Sequence, residues 1–485
     1  MKMLLSLAAC LIVVMTTAQN EGSAFILTGT GVATPFATDY QALGINPANL
    51  DLPPLFEGKN TAIGLGEFAV SLHSQALTRS ELRQNLLNED IEELTTDEQR
   101  TFAKEFANTP FAVDADVMAI GVAHKTENIG AFAFSMRDRM DFYSELGPLV
   151  SEITLLGYTA SYFNSLVLAN GDTIPNDGNF DPDTLDIVQG FTDADNALSI
   201  GELIAGTKMH FSWVREFNFG YGKRLNVSED LEWYAGIGVK YLLGQGMIKV
   251  DATSGSASGF SALSPVFNIN YDEIDDNNPS ALATNAGRFT PVGRGFGIDL
   301  GITALIGKKF MLSAAVTDIG SMKWDGNVYA LNEQLLLQYE NAGIESVDFI
   351  DQITQLNGGD GLIDWEGKQD FVTRLPTMAR FGAGLRAGKY LRLGADLSMP
   401  LGDDVASLER MNIAVGAEYG LMAWLRLSAG LVHGGNYDFI VPAGITFVIG
   451  DGTYEAGFAS RDLVTYFIED HPTLSLSTGF LRFRF

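Results

Sequence analysis

The chain has 485 residues and a formal net charge of −29, a balance that excludes nucleic acid and other polyanions as partners. Its one cysteine, Cys10, excludes an internal disulfide, and beyond residue 18 no apolar run approaches the ~18 residues a membrane-spanning helix needs. Mean hydropathy is still slightly positive, +0.10, which for so acidic a chain points to a membrane protein crossing with strands, since a closed barrel pairs all its backbone groups internally.

Met1 to Ala18 carries one basic residue, Lys2, an apolar run from Met3 to Met15, and Thr16-Thr17-Ala18 before Gln19, the pattern of a secretory leader cleaved after Ala18. Leu7-Ala8-Ala9-Cys10 has the residue types of a lipoprotein box, but that cut leaves only Met3 to Ser6 as apolar run. Residues 19–59 hold Pro47, Pro53 and Pro54 and no period of 2 or 3.6, which predicts irregular structure. Such a segment buries its backbone groups only where something encloses and bonds them. It reads as a plug centred on Asn46-Pro47-Ala48, with residues 60–485 as the enclosing barrel.

From residue 60 the chain alternates. Phe296, Ile298, Leu300, Ile302, Ala304 and Ile306 oppose Gly297, Asp299, Gly301 and Thr303, and Leu391, Leu393, Ala395, Leu397 and Met399 oppose Arg392, Gly394, Asp396 and Ser398. The same pattern predicts fourteen strands, at 60–74, 111–125, 130–142, 207–223, 231–248, 293–307, 310–322, 371–387, 390–401, 411–420, 424–433, 440–450, 453–465 and 473–485, an even number that puts both termini on one side. Short turns such as Glu127-Asn128, Lys308-Lys309 and Asp451-Gly452 alternate with longer links, four of them extensive (78–109, 143–206, 251–290 and 325–370). The turns and termini are therefore predicted to be periplasmic and the long loops external.

Those four links hold 33 Asp and Glu against 6 Lys and Arg, so nearly all the negative charge sits outside, where it solvates the surface. Leu82, Leu86, Leu87, Ile91 and Leu94 have helical spacing, and Thr95 with Glu98 forms a capping box for a helix ending near Phe106. Asp177, Asn179, Asp181 and Asp183 have the spacing of a calcium loop, but Pro182 stands where the turn needs Gly and Val188 where it needs Glu. Leu481-Arg482-Phe483-Arg484-Phe485 resembles the terminal signal read by outer-membrane assembly machinery, with Phe483 and Phe485 its aromatic positions. The opposite parity of Leu474, Leu476 and Phe480 predicts a bulge near Gly479. Trp233, Trp424 and Trp324 fall at predicted strand ends, as an interfacial girdle requires.

The chain has no His-Glu-x-x-His, Gly-x-Ser-x-Gly, phosphate-binding glycine loop or metal-type His or Cys spacing, so no catalysis, cofactor or metal is expected. His210 and Ser212 share inward parity with Glu216 and read as a structural polar pair. Gly236 with Gly238, and Gly382 with Gly384, lie inside strands and read as points of curvature. Charges predicted to face inward are Glu67, Lys240, Asp299, Arg374, Arg380, Arg386, Arg392, Asp396, Glu418, Arg426 and Arg484. Ionised groups in an enclosed lumen pair, contact the plug or face water. Arg380, Arg386 and Arg392 are candidates for an arginine cluster near the plug that holds an acid head group.

The leader, the early Asn46-Pro47-Ala48, and the blocks from Pro376 to Leu401 and Met411 to Gly450 together resemble the FadL-type (OMPP1/FadL/TodX-like) family of Gram-negative outer-membrane barrels, more narrowly a Bacteroidota branch of it. The resemblance implies an all-β fold: a fourteen-stranded antiparallel transmembrane barrel with an N-terminal plug and some helix in its outer loops. It implies passive movement of small hydrophobic molecules across the outer membrane, and gives the role of hatch to Asn46, Pro47 and Ala48. The family also has a side exit at a break in strand 3, whereas here strand 3 has no Pro or Gly after Gly130. Implied partners are outer-membrane lipid, a hydrophobic solute and the assembly machinery. A second reading is a non-transporting plugged barrel that docks to a secretion or surface-assembly machinery, consistent with the large acidic loops.

Overall fold

The computed structural model describes residues 25–54, 56, 58–78, 95–178, 185–228, 230–253, 257–269, 278–283, 285–331, 336, 338–339, 365–388, 390–402, 411–434, 437–464, 467 and 473–485. The leader with Cys10, the helical spacing from Leu82 to Leu94, and Asn179, Asp181 and Asp183 lie outside them.

Fourteen strands close into one antiparallel barrel. They are β1 (Thr61–Ser74), β2 (Phe111–Thr126), β3 (Gly130–Glu145), β4 (Lys208–Val227), β5 (Leu231–Asp251), β6 (Gly293–Ile306), β7 (Phe310–Trp324), β8 (Phe371–Arg374 with Met378–Ala387), β9 (Leu391–Pro400), β10 (Asn412–Met422), β11 (Leu425–Gly434), β12 (Tyr437–Ile440 with Ala443–Ile449), β13 (Tyr454–Ser460) and β14 (Leu474–Arg484). Each pairs with the next, and β14 pairs with β1 from Ala62↔Arg484 to Leu72↔Leu474, so the wall has no open edge. This is the fourteen-stranded, plugged antiparallel barrel that the resemblance implied. No helix among the described residues is long and apolar enough to cross a membrane.

Alternation sets the faces. On β6, Phe296, Ile298, Leu300, Ile302 and Ile306 are exposed on the outer wall, while Asp299 and Thr303 are buried inside. Trp233 and Trp424 are exposed near the short-turn end, where a girdle belongs. The expected bulge in β14 is present. Phe480 and Leu481 both face outward, and the β13–β14 register shifts between Glu455 and Gly457.

Two expectations fail for one reason. Trp324 was assigned to the girdle but is 1 % exposed and faces inward, donating from Nε1 to Thr373 Oγ1 at 3.0 Å and stacking on Phe371. Arg374 was placed inward but is exposed on the outer face, opposite the exposed Ser321 of β7. The β6–β7 register shifts between Ile298 and Leu300, where Asp318 takes a left-handed φ of 59°. β8 is interrupted at Leu375-Pro376-Thr377 beside it, with Thr377 Oγ1 donating to the Asp318 carbonyl at 2.9 Å. An extra residue reverses every side chain beyond it. β3, by contrast, pairs without interruption to β4 from Ala131↔Gly222 to Glu145↔Lys208.

The loops build an ordered cap. Helix α1 (Thr96–Phe106) starts at the expected capping box of Thr95 and Glu98 and buries Phe102 and Ala103 beside Leu155 of helix α2 (Pro148–Leu156). Strands Ser258–Leu263, Val328–Leu331 and Trp365–Gly367 extend the sheet outward from β5. Tyr329, Trp365, Ile248 and Phe163 share one apolar core beneath them.

Candidate functional site: the plug seat and the chamber beyond it

Residues 25–54 lie inside the barrel, and the wall is shaped to receive them. Asn46 is extended and caps the short 3-10 helix Pro47–Asp51, with Pro47 in the first helical position, where its missing N–H costs nothing. Asn46 Oδ1 accepts from Ala48 N at 3.2 Å, and its Nδ2 donates to Thr303 Oγ1 on β6 at 3.0 Å and to Asn49 Oδ1 at 3.2 Å. Thr303 donates back to Asn49 Oδ1 at 2.7 Å, and Asn49 Nδ2 donates to the Thr34 carbonyl at 2.9 Å. Both asparagines are fully buried, so this closed set of bonds satisfies groups that water cannot reach.

The wall glycines make room for this turn. A Cβ on Gly236 would lie 2.2 Å from the Pro47 carbonyl carbon, and one on Gly301 would lie 2.0 Å from Asn46 Oδ1. Gly382 and Gly384 likewise sit against Pro35 and Phe36. Of the strand glycines read from sequence as curvature, Gly236, Gly382 and Gly384 are contact points for the plug, while Gly238 lies against Asp299 of the wall.

Polar clamps surround the seat. Asp396 Oδ2 on β9 accepts the backbone amides of Ala33 at 2.8 Å and Thr34 at 2.7 Å, bonds to a charged acceptor that contribute ~1.5–3 kcal/mol each. Glu67 on β1 accepts from Tyr40 Oη at 2.5 Å and Gln41 Nε2 at 2.9 Å. Asp39 takes Arg482 at 2.7 Å and Arg484 at 3.2 Å, and Glu455 bonds the same two arginines from the wall. Asp51 pairs with Lys125 at 3.1 Å and accepts the Arg224 amide at 2.7 Å.

The three candidate arginines do not form one open fork. Arg386 and Arg392 are direct cross-strand partners near the turn end. Arg392 bonds both oxygens of Glu418 and lies 5.5 Å from the Phe36 ring, while Arg386 donates to the Pro53 carbonyl at 3.2 Å. Arg426 completes the group on Glu418 at 3.1 Å. Arg380 lies further up β8 and is 1 % exposed, facing Ser398 at 3.4 Å. Phe483 is half-buried and Phe485 exposed on the outer wall; the Phe485 backbone pairs with Thr61, so these two residues sit at the seam where the barrel closes.

A second charge network, nearer the loop end, escaped the sequence reading in part. Lys240, wholly buried, pairs with Asp318 at 2.6 Å and Asp299 at 3.2 Å. Arg139 pairs with Glu216 at 3.0 Å, and Arg137 with Asp116 at 3.2 Å. The inward parity of Arg137, Arg139 and Asp141 on β3 was available in the alternation, whereas Asp318 joins only through its bulge. Beyond this network is a cavity of about 80 Å³, with Leu242, Met247, Met322, Trp324 and Leu375 on one side and Arg139, Asp141, His210, Ser212 and Glu216 on the other. His210 and Ser212 do not bond each other, because Ser212 Oγ donates to Asp141 at 2.9 Å. Among the described residues no group of three or more His, Cys, Asp or Glu is arranged to hold a metal ion.

A family model described as a family of unknown function (DUF5723) matches residues 177–446. No curated protein matches the chain. Among solved structures it is similar to the Pseudomonas putida toluene transporter TodX, at 12 % identity over 97 % of this chain and 99 % of that one, with a TM-score of 0.43. It is similar to the Ralstonia pickettii toluene transporter TbuX at 12 % identity over 96 % and 99 %, TM-score 0.45, and to a Pseudomonas aeruginosa FadL homologue at 11 % over 97 % and 96 %, TM-score 0.36. Likeness of that degree says nothing of a solute, and the strand count and closure rest on the pairing itself.

Proposed function

The chain belongs to the DUF5723 family, a family of unknown function, and we propose that its barrel is an outer-membrane conduit for the passive entry of small hydrophobic molecules, gated by residues 19–59. The observation that carries this reading is the way the plug is held. Its described contacts are all non-covalent: hydrogen bonds and ion pairs at Asn46-Pro47-Ala48 and the clamps around them, close packing on glycine, and apolar packing of Val32, Phe36, Leu43 and Ile45 against wall residues such as Met118, Met311 and Val432. Held so, the plug can shift without unfolding the wall, whose strands pair among themselves. The half-apolar chamber beyond it offers a first resting place for a solute. Arg386 and Arg392 then act on the plug, Arg386 through the Pro53 carbonyl and Arg392 against Phe36. Short turns and both termini are taken as periplasmic, with Phe483 and Phe485 read by the assembly machinery and the outer wall meeting membrane lipid.

The second reading, a plugged scaffold that docks a secretion or surface partner, draws support from the buried charge network across the lumen and from the ordered loop cap. Uptake of a radiolabelled apolar solute into proteoliposomes separates the two. Passage predicts uptake above that of an unrelated closed barrel; uptake equal to it ends the conduit reading and leaves the scaffold.

A further inference from the structure

His210 near the loop end of β4 is 7 % exposed, and neither of its ring nitrogens has a protein hydrogen-bond partner. It lines the cavity of about 80 Å³ together with Ser212, Lys249, Met247, Trp324 and Leu375. Buried polar groups in folded proteins are nearly all satisfied, so an imidazole unmet on both sides marks a place where something else supplies the bonds. An uncharged imidazole presents one N–H and one lone pair. A hydroxyl, both donor and acceptor, is the smallest organic group that answers either need.

The rest of the lining narrows the class. Asp141, Glu216 and Asp318 border the same space beside Arg139, bonded to Glu216, and Lys249 and Arg374, so the lining carries three charges of each sign and offers a carboxylate no net attraction. A pure hydrocarbon would cover Met247, Met322, Trp324 and Leu375 but leave His210 unmet. The space is smaller than the ~150 Å³ apolar cavity that holds a benzene ring, so it takes the hydroxyl end of a ligand and leaves the remainder toward the opening. We propose that this chamber is a binding site for small uncharged alcohols and phenols, with the hydroxyl on His210, the adjoining carbons against Trp324 and the methionines, and the rest of the ligand toward the opening.

The proposal sharpens the conduit reading by naming a solute class for it, but the binding itself is measured without transport. Full-length protein in detergent is titrated calorimetrically with benzyl alcohol, toluene and benzoate, with empty micelles subtracted. Benzyl alcohol should bind saturably and about tenfold more tightly than either of the others. His210→Leu, which fills the same volume without the nitrogens, should bring the alcohol down to the level of toluene. His210→Gln, which keeps a donor and an acceptor, should retain most of the binding, and heat-modifiable gel migration checks that both variants are folded. Equal binding of toluene, tighter binding of benzoate, alcohol binding unchanged in folded His210→Leu, or no saturable binding at all would each overturn the site. An alcohol that binds through His210 but is not taken up would remove the conduit reading and leave the site standing.

Discussion

The two halves of the lumen use the same residue types to different ends. Toward the short turns, wall charges end on the plug: Asp396 on the amides of Ala33 and Thr34, Glu67 on Tyr40 and Gln41, and Arg482 and Arg484 on Asp39. Toward the loops, Lys240, Asp299, Asp318, Arg139 and Glu216 end on one another across strands. The first set is a binding site whose occupant is the chain's own N-terminal segment. The second belongs to the wall. A substitution in the first should change what the barrel holds, and one in the second should change how firmly the barrel stands.

The sharpest way to break that distinction is to remove residues 19–50. The barrel should still migrate as a folded, heat-modifiable species, and in planar bilayers it should pass from closed to stepwise conductance. A closed trace would mean that the wall network, not the plug, is the seal. Next in size is Lys240→Ala, which leaves Asp299 buried without its cation and Asp318 with only Arg139 at 3.9 Å, and should cost ~3–5 kcal/mol. Thermal unfolding in detergent should fall accordingly, with no gain in conductance. Gly236→Val is the converse. The added side chain meets the Pro47 carbonyl, an overpacking of ~1–3 kcal/mol that should appear as intermittent conductance while the wall's unfolding midpoint stays near the parent's.

The smallest effect expected lies outside the lumen, at α1. Hydrogen bonds from the Thr95 side chain and backbone hold the Glu98 carboxyl below its ordinary 4.5. A depressed carboxyl contributes above its unfolded value and loses that contribution as pH falls through the lower folded one. Amide exchange across Thr96–Phe106 should therefore quicken, relative to Glu98→Gln, only below about pH 4.5. An equal ratio at neutral and acid pH would show that the cap does not hold the helix.

The walls were legible because a lipid-facing strand must alternate, and from β1 to β14 the alternation located each strand to within a few residues. Trp324 and Arg374 show the limit. Alternation fixes a face only while the count is unbroken, and the extra residue at Asp318 carries no Gly or Pro to announce it. Pro376 does announce the matching break in β8, but not which side the residues beyond it would take. The seat was legible at one point, Asn46-Pro47-Ala48. The glycines opposite it were not, since a strand glycine that bends the sheet and one that admits a neighbour's backbone look alike until the neighbour is placed. His210 was visible by parity, but its lack of partners was not, because that depends on Ser212 bonding across to Asp141 instead.

One small group in the plug has a bearing on how the cylinder comes together. Asp39 grips Arg482 and Arg484 of β14, while Tyr40 and Gln41, next along the chain, grip Glu67 of β1. Three consecutive residues thus clasp both sides of the seam at which the first and last strands meet. That seam joins Ala62 to Arg484, among the most distant pairings the chain contains, and such an encounter carries a heavy loop-closure entropy. The clasp spans 443 residues itself, from Asp39 to Arg482, so it shortens no search; once made, it holds the two edges together from inside. The plug is then a latch as well as a stopper: a barrel without residues 19–50 still closes on its own strand pairing, but its first and last strands should be the pair that parts most readily.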